Sequence, residues 1–392
     1  MSARPFSPAR RAAPPSRLPK VGTTIFTVMS ALATECGAIN LGQGFPDFDP
    51  DPALLDAVTR AMRAGHNQYP PMAGVAALRE ALADKIDQLH GCRYDAGDEI
   101  TITAGATQAL LTALLAVVHP GDEVIVLTPA YDSYVPAIEL AGGIVREVGL
   151  DAELRPDFAA IGAAIGPRTR ALIVNTPHNP SARVWSADEM RRLAELLAPT
   201  DVVLIADEVY EHMVYDGQRH HSAAADPRLA ERSFVVSSFG KTYHVTGWKV
   251  GMVAAPQPLM REFRKVHQFN VFTVNTPMQW ALADYLRSTP QAHLGLGDFY
   301  QARRDRFRAG LAATRLRLLP CDGSYFQCVD YRDVSDLDER NFCEWLTREV
   351  GVAAIPLGAF ETVPDAQRRV VRFCFAKREA TLDAALQRLA RL

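Results

Sequence analysis

The chain has 392 residues, 48% of them apolar and 22% charged, which describes a globular protein with a full core and excludes one ordinary small domain. Its 42 Lys and Arg against 45 Asp and Glu give a formal net charge of −3, which excludes the basic surface of a general nucleic-acid binder. No apolar run approaches the ~18 residues that cross a bilayer, so no membrane partner is expected.

The six cysteines are Cys36, Cys92, Cys321, Cys328, Cys343 and Cys374. They form no C-x-x-C pair and no Cys/His set with zinc spacing, so no metal is expected. Free thiols in a reducing, cytoplasmic setting are the simplest reading.

In chain order, residues 1–20 carry Arg4, Arg10, Arg11, Arg17 and Lys20, no acid, and Pro5, Pro8, Pro14, Pro15 and Pro19. The prolines oppose the amphipathic helix of a transit peptide, and no apolar segment suits secretion. The stretch reads as a disordered basic tail. Short runs that are apolar on both faces then predict buried strands of a mainly parallel sheet at 99–104, 123–127, 171–174, 202–206, 234–236 and 250–254. Helices are expected between them. One covers 109–118, opened by Thr107 and closed near Pro120-Gly121, and another runs from a Ser186 cap, with Glu189 completing a capping box, through Leu197. The pattern is α/β, with helices on both faces of the sheet. After about residue 290 a charged helix over 301–313 leads to short strands at 324–329 and 370–375, the texture of a smaller α+β lobe.

Ligands in open α/β sheets bind beyond the carboxyl ends of the strands, where several polar signatures of this chain fall. Gly105-Ala-Thr-Gln108 opens a helix with small residues that leave backbone N–H groups free for a phosphate; alone it is equally an ordinary strand–helix turn with a Thr cap. Asn175-Thr-Pro-His-Asn-Pro180 holds an amide in a rigid turn, or is simply a Pro-rich loop. Asp207 ends a buried strand, where a carboxylate needs a partner: a ring N–H, a helix end or an ion pair. Ser237-Ser-Phe-Gly-Lys241, followed by Thr246-Gly-Trp-Lys-Val-Gly251, puts a lysine among small residues at a strand end. A buried amine there has a lowered pKa suited to Schiff-base chemistry, while Lys249 supplies a second cation for a phosphate.

Together with Asn40-Leu-Gly-Gln-Gly-Phe-Pro-Asp-Phe48, Asn67-Gln-Tyr69, Ala206-Asp-Glu-Val-Tyr210 and Val371-Arg-Phe-Cys-Phe375, these motifs resemble the class I, fold-type I aminotransferases that use pyridoxal 5′-phosphate (PLP). The likeness is closest to the methionine and kynurenine (glutamine-type) enzymes and runs from about residue 20 onward. It implies an N-terminal arm over 21–48 packing with the small domain, a large PLP-binding domain over 49–290 and a small C-terminal domain over 291–392. By the same resemblance Lys241 is the Schiff-base lysine and proton shuttle, Asp207 the partner of the pyridine nitrogen, and Asn179 with Tyr210 the pair on the phenolic oxygen. The phosphate falls to Gly105, Ala106, Thr107, Ser238 and Lys249. Many relatives have Arg where Lys249 stands, so this contact would be a point charge. Tyr131 resembles the residue that stacks on the ring, and Tyr69 the tyrosine that reaches the phosphate from the neighbouring subunit of a homodimer. Arg372 resembles the clamp on the substrate α-carboxylate, helped by Gly42 and Asn179.

Dicarboxylate-specific relatives bring a second Arg from the partner subunit, but the matching stretch here, 269–277, has no Arg or Lys. Phe26, Tyr131, Phe272 and Tyr325 are expected to line an apolar, sulfur-tolerant pocket. The implied partners are therefore a 2-oxo acid and an amino donor such as methionine, Phe, Tyr, Leu or Gln. A PLP-dependent β-lyase acting on cysteine S-conjugates would share Lys241, Asp207 and Arg372. A PLP-sensing regulator would need a DNA-binding domain that the extension of about twenty residues does not provide. A nucleotide-dependent oxidoreductase lacks its G-x-G-x-x-G after a strand.

Overall fold

The computed structural model describes residues 15–392, so most of the expected basic tail lies outside the described residues. The described arm begins in earnest with a helix, Ile25–Cys36, whose Thr24 cap accepts from the Thr27 N–H and whose Gly37 terminator is left-handed at φ 59°. A cap of this kind contributes about 1 kcal/mol. Short strand β1 (Ile39–Asn40) follows. Met29, Leu32 and Leu41 of the arm are buried in one apolar cluster with Phe326, Phe373 and Leu382 from the far end of the chain.

The main sheet has seven strands, β2 (Ile100–Thr103), β3 (Glu123–Thr128), β4 (Ile144–Gly149), β5 (Thr169–Asn175), β6 (Val203–Asp207), β7 (Ser233–Ser238) and β8 (Gly251–Ala254), in the order β2-β8-β7-β6-β5-β3-β4. Only β8 runs against its neighbours. The carboxyl ends of β2, β5, β6 and β7 therefore open on the same side, which is where the polar signatures sit. Ile125, Leu172 and Leu204 face one buried apolar layer while Val124, Ile173 and Ile205 face the other, as helices on both faces require.

Some elements differ from expectation. Strand β4 escaped notice because it forms the sheet's edge and its residues Arg146 and Glu147 face solvent, breaking the apolar run. The phosphate-side helix spans Ala106–Val117, and its N-cap is Gly105 at φ 77°; Thr107 lies in the first turn and caps nothing. The helix expected over 301–313 covers Leu296–Leu311. The Ser186–Glu189 capping box forms as expected, opening Ala187–Leu197.

Beyond it, β9 (Arg317–Leu318), β10 (Phe326–Asp330), β11 (Val352–Ala353), β12 (Ile355–Pro356) and β13 (Val370–Cys374) complete the strands. Four of them form an antiparallel sheet ordered β12-β13-β10-β9, and β11 pairs in parallel with β1 of the arm. This pairing and the shared apolar cluster bring the arm across to the mouth of the main sheet's ligand side.

Candidate active site

Lys241 sits on the short turn Phe239–Thr242 directly after β7. Gly240 makes the turn feasible: a Cβ there would fall 2.9 Å from Thr246 Cα. The Lys241 Nζ donates to the Tyr325 hydroxyl at 2.8 Å and to the Gly44 carbonyl at 3.1 Å. Burial, with a minor contribution from like charge on Arg372 and Lys249, lowers its pKa to about 8. A neutral amine is thus accessible near physiological pH.

Asp207 ends β6 at 3% exposure. Its carboxylate accepts from the Tyr134 hydroxyl at 2.6 Å and from the Val209 N–H at 3.4 Å, and it pairs with no Lys, Arg or His among the described residues. Burial raises its pKa to about 6 against those two donors. Asn175, paired with Asp207 across β5 and β6, fixes the strand end by donating to the Asp207 main-chain oxygen at 2.8 Å. Tyr210 follows on the next turn, fully buried, with its ring edge-on to Tyr325 at 5.1 Å. Burial pushes its phenol well above the usual range.

Arg372, on β13, is 1% exposed. It donates to Asn179 Oδ1 at 2.5 Å and to the Gly42 carbonyl at 3.2 Å, and among the described residues its Nε has no partner and no carboxylate forms an ion pair with it. The rings of Phe326 and Phe360 lie 3.9 and 4.7 Å from its guanidinium carbon. A buried guanidinium left with neutral acceptors is completed by an incoming anion.

Backbone N–H groups at the start of helix Ala106–Val117 face the same space as Ser238 and Lys249. Gly105 and Gly251 permit this: a Cβ on Gly251 would stand 2.9 Å from Gly105 C and 3.0 Å from Ala106 N. Lys249 adopts a left-handed φ of 55° that carries its side chain inward. Lys241, Asp207, Tyr210, Asn179, Arg372, Gly105, Ala106, Thr107, Ser238 and Lys249 all border one cavity of about 310 Å³, whereas Gly42, Tyr134 and Tyr325 stand behind its wall. Phe26 and Tyr131 line it too, the latter with its hydroxyl 3.5 Å from Thr107 Oγ1.

Residues 37–389 match the family model described as aminotransferase class I and II. The chain belongs to this aminotransferase family. A methionine aminotransferase of Escherichia coli is 52% identical over 97% of this chain and 98% of its own length. A crystal structure from E. coli, of a protein identified with a methionine aminotransferase function, superposes at a TM-score of 0.96, with 52% identity, 97% coverage of this chain and 100% of the other. Human kynurenine–oxoglutarate transaminase 1 is 35% identical over 91% of this chain and 93% of its own length.

The cofactor of this aminotransferase is PLP, and the site fits it on its own evidence. The cation-free carboxylate of Asp207, the lowered amine of Lys241 and the glycine-lined helix start with Lys249 match a ring N–H, a carbonyl and a phosphate respectively. When bound, PLP supplies an electron sink for charge developing at the amino acid's Cα.

Two expected residues, Tyr325 and Phe272, are placed differently from the sequence reading, while Tyr69, expected to serve a neighbouring subunit, is not part of its own chain's site. Tyr325 does not present an apolar wall: its hydroxyl wedges between Lys241 and Gly44, donating to the latter at 2.6 Å. Phe272 and Tyr69 lie outside this chain's cavity, edge to face at 5.3 Å on the surface, where Phe272 is 38% and Tyr69 81% exposed. Sequence reasoning also passed over Tyr134, Gly44 and Asp132. Tyr134 had a usable signal, being a polar aromatic at the start of the short helix that follows Tyr131. Gly44 had none, because what it contributes is a carbonyl. Asp132 lines the cavity beside Tyr131, and burial raises its pKa. Among the described residues no His, Cys, Asp and Glu cluster is placed to hold a metal ion, and no helix is long and apolar enough to cross a membrane.

Proposed function

We propose that this aminotransferase takes methionine, and alongside it Phe, Tyr, Leu, Gln and kynurenine-like donors, and passes the amino group to a 2-oxo acid. The observation that carries this is the charge pattern of the cavity. Among the described residues its only cations are Lys241, Lys249 and Arg372. Lys241 serves the reacting centre, Lys249 the phosphate and Arg372 the α-carboxylate, so none remains for a side-chain carboxylate. Asp132 repels one as well, and the remaining wall is built by Phe26, Phe45, Leu110 and Tyr131. The E. coli and human relatives bear names with the same donors.

In this reading Arg372 and Asn179 hold the α-carboxylate so that the Cα–H stands within reach of Lys241, whose amine takes that proton. Asp207 would keep the ring nitrogen of the cofactor protonated, Tyr210 and Asn179 would hold its phenolic oxygen, Tyr131 would cover its face, and Gly105, Ala106, Thr107, Ser238 and Lys249 would cradle its phosphate. Gly42 steadies Arg372 through its carbonyl. The protein works as a homodimer in the cytoplasm, where its free cysteines would stay reduced. Exposed Tyr69 and Phe272 face the partner subunit's cavity, Tyr69 toward its phosphate and Phe272 toward its side-chain pocket.

The test is a panel of amino donors, each mixed with PLP-loaded enzyme and followed by the cofactor's absorbance. Methionine should convert the cofactor at least about tenfold faster than Asp or Glu. A preference for Asp or Glu would overturn the substrate reading, and pyruvate with ammonia from a cysteine S-conjugate, without an oxo acid, would point to the β-lyase.

A further inference from the structure

Lys377 is a buried cation that the chemistry above does not use. It is 3% exposed, and among the described residues its only polar partners are the carbonyls of Phe45 at 2.7 Å and Gln43 at 3.3 Å; the Phe45 ring centre lies 5.1 Å from the amine. Those carbonyls belong to a strap, 41–48, in which consecutive carbonyls meet cations. Gly42 faces Arg372 at 3.2 Å, Gln43 faces Lys377, Gly44 faces Lys241 at 3.1 Å and Phe45 faces Lys377 again.

The strap is tied down along its length to the end of β13 and the segment that follows it. The Leu41 carbonyl accepts from the Cys374 N–H at 2.7 Å, and the Asp47 carboxylate accepts from the Arg378 N–H at 2.5 Å and the Thr381 hydroxyl at 2.6 Å. Gly44 is pressed against Phe326, where a Cβ would sit 3.0 Å from the ring. Phe45 borders the cavity while remaining 46% exposed, so its ring stands at the mouth. Both the reactive lysine and the carboxylate clamp thus rest on a strap whose middle is held by one further amine.

We propose that Lys377 is a positioning residue. By holding the Gln43 and Phe45 carbonyls it sets the strap so that Gly42 meets Arg372, Gly44 meets Lys241 and Phe45 covers the cavity mouth. The affinity for the amino acid therefore depends on a cation that never touches it. This rests on the reading that the cavity takes an amino acid through Arg372. Charge-assisted hydrogen bonds to two carbonyls outweigh neutral ones, so loss of the amine loosens this segment before it affects the sheet.

The experiment uses PLP-loaded enzyme with Lys377→Met, which keeps most of the stem, and Asp47→Ala, which frees the strap's outer end from a partly exposed position and guards against a folding failure in the first variant. Hydrogen exchange across 41–48 should accelerate about tenfold in Lys377→Met and by less in Asp47→Ala. KM for methionine should rise about tenfold while kcat stays within about threefold, and Lys377→Arg should recover part of the loss. Wild-type exchange in both variants would overturn the proposal, as would a loosened strap with unchanged KM, or a fall in kcat at unchanged KM. Failure of the wild type to turn over methionine would instead count against the substrate reading, and strap exchange does not depend on it.

Discussion

Tyr134 donates to Asp207 at 2.6 Å, and burial lifts that carboxyl from its ordinary 3.8 to about 6. The hydroxyl opposes the lift, so Tyr134→Phe should raise the pKa further and leave more of the carboxyl protonated near pH 7. Hydrogen bonds to charged groups contribute about 1.5–3 kcal/mol, so PLP affinity and kcat should each fall roughly tenfold or more, increasingly from pH 8 to pH 6. Spectral titration with PLP across that range checks it, and pH-independent, wild-type affinity would refute it. The same shift has a stability consequence in the cofactor-free protein. A raised folded-state pKa means a stabilising contribution that is full below about 3.8 and lost as pH rises to about 6. Cofactor-free wild type should lose stability over that window relative to Asp207→Asn, measured by urea unfolding; parallel curves would contradict the assigned burial.

Among the elements, the start of helix Ala106–Val117 is the most tightly specified. Gly251 of β8 backs onto it, and a methyl there would enter within 2.9 Å of Gly105 C and Ser237 O. Gly251→Ala should cost about 1–3 kcal/mol of stability and, by displacing the cradle, weaken PLP binding disproportionately. Thermal unfolding with and without PLP separates the two effects; an unchanged PLP dissociation constant would show that the cradle does not bind phosphate. The elements also show what a sequence can reveal. Strands β5 and β6 were legible because burial on both faces forces an unbroken apolar run, and the Ser186 helix because its capping box is local. Edge strand β4 was not, since its solvent-facing Arg146 and Glu147 remove that signal. The reversed direction of β8 leaves no mark in an apolar run, because it depends on the connection and not on the side chains.

Across the whole molecule, the site's main groups were legible because each follows a strand or starts a helix, and their order along the chain carried the family resemblance. The contacts that join distant segments were not. The Gly44 carbonyl meets Lys241 only because β1 and β11 pair and draw the arm across the sheet, and Tyr325 was read as a wall because its hydroxyl's partner could not be placed. Tyr69 and Phe272 belong to this scale as well. Outside their own chain's cavity, they are proposed to serve a partner's, so Tyr69→Phe should leave the dimer intact by light scattering and weaken PLP retention about tenfold. A fully active, PLP-loaded monomer would dismiss the shared site. The account depends most on the amine of Lys241 being the group that holds the cofactor opposite Asp207. Borohydride reduction of the PLP-loaded enzyme followed by peptide mapping tests this directly: the pyridoxyl mass should appear on the peptide containing Lys241 and vanish in Lys241→Ala, whereas its appearance on Lys249, Lys377 or any other lysine would contradict the account.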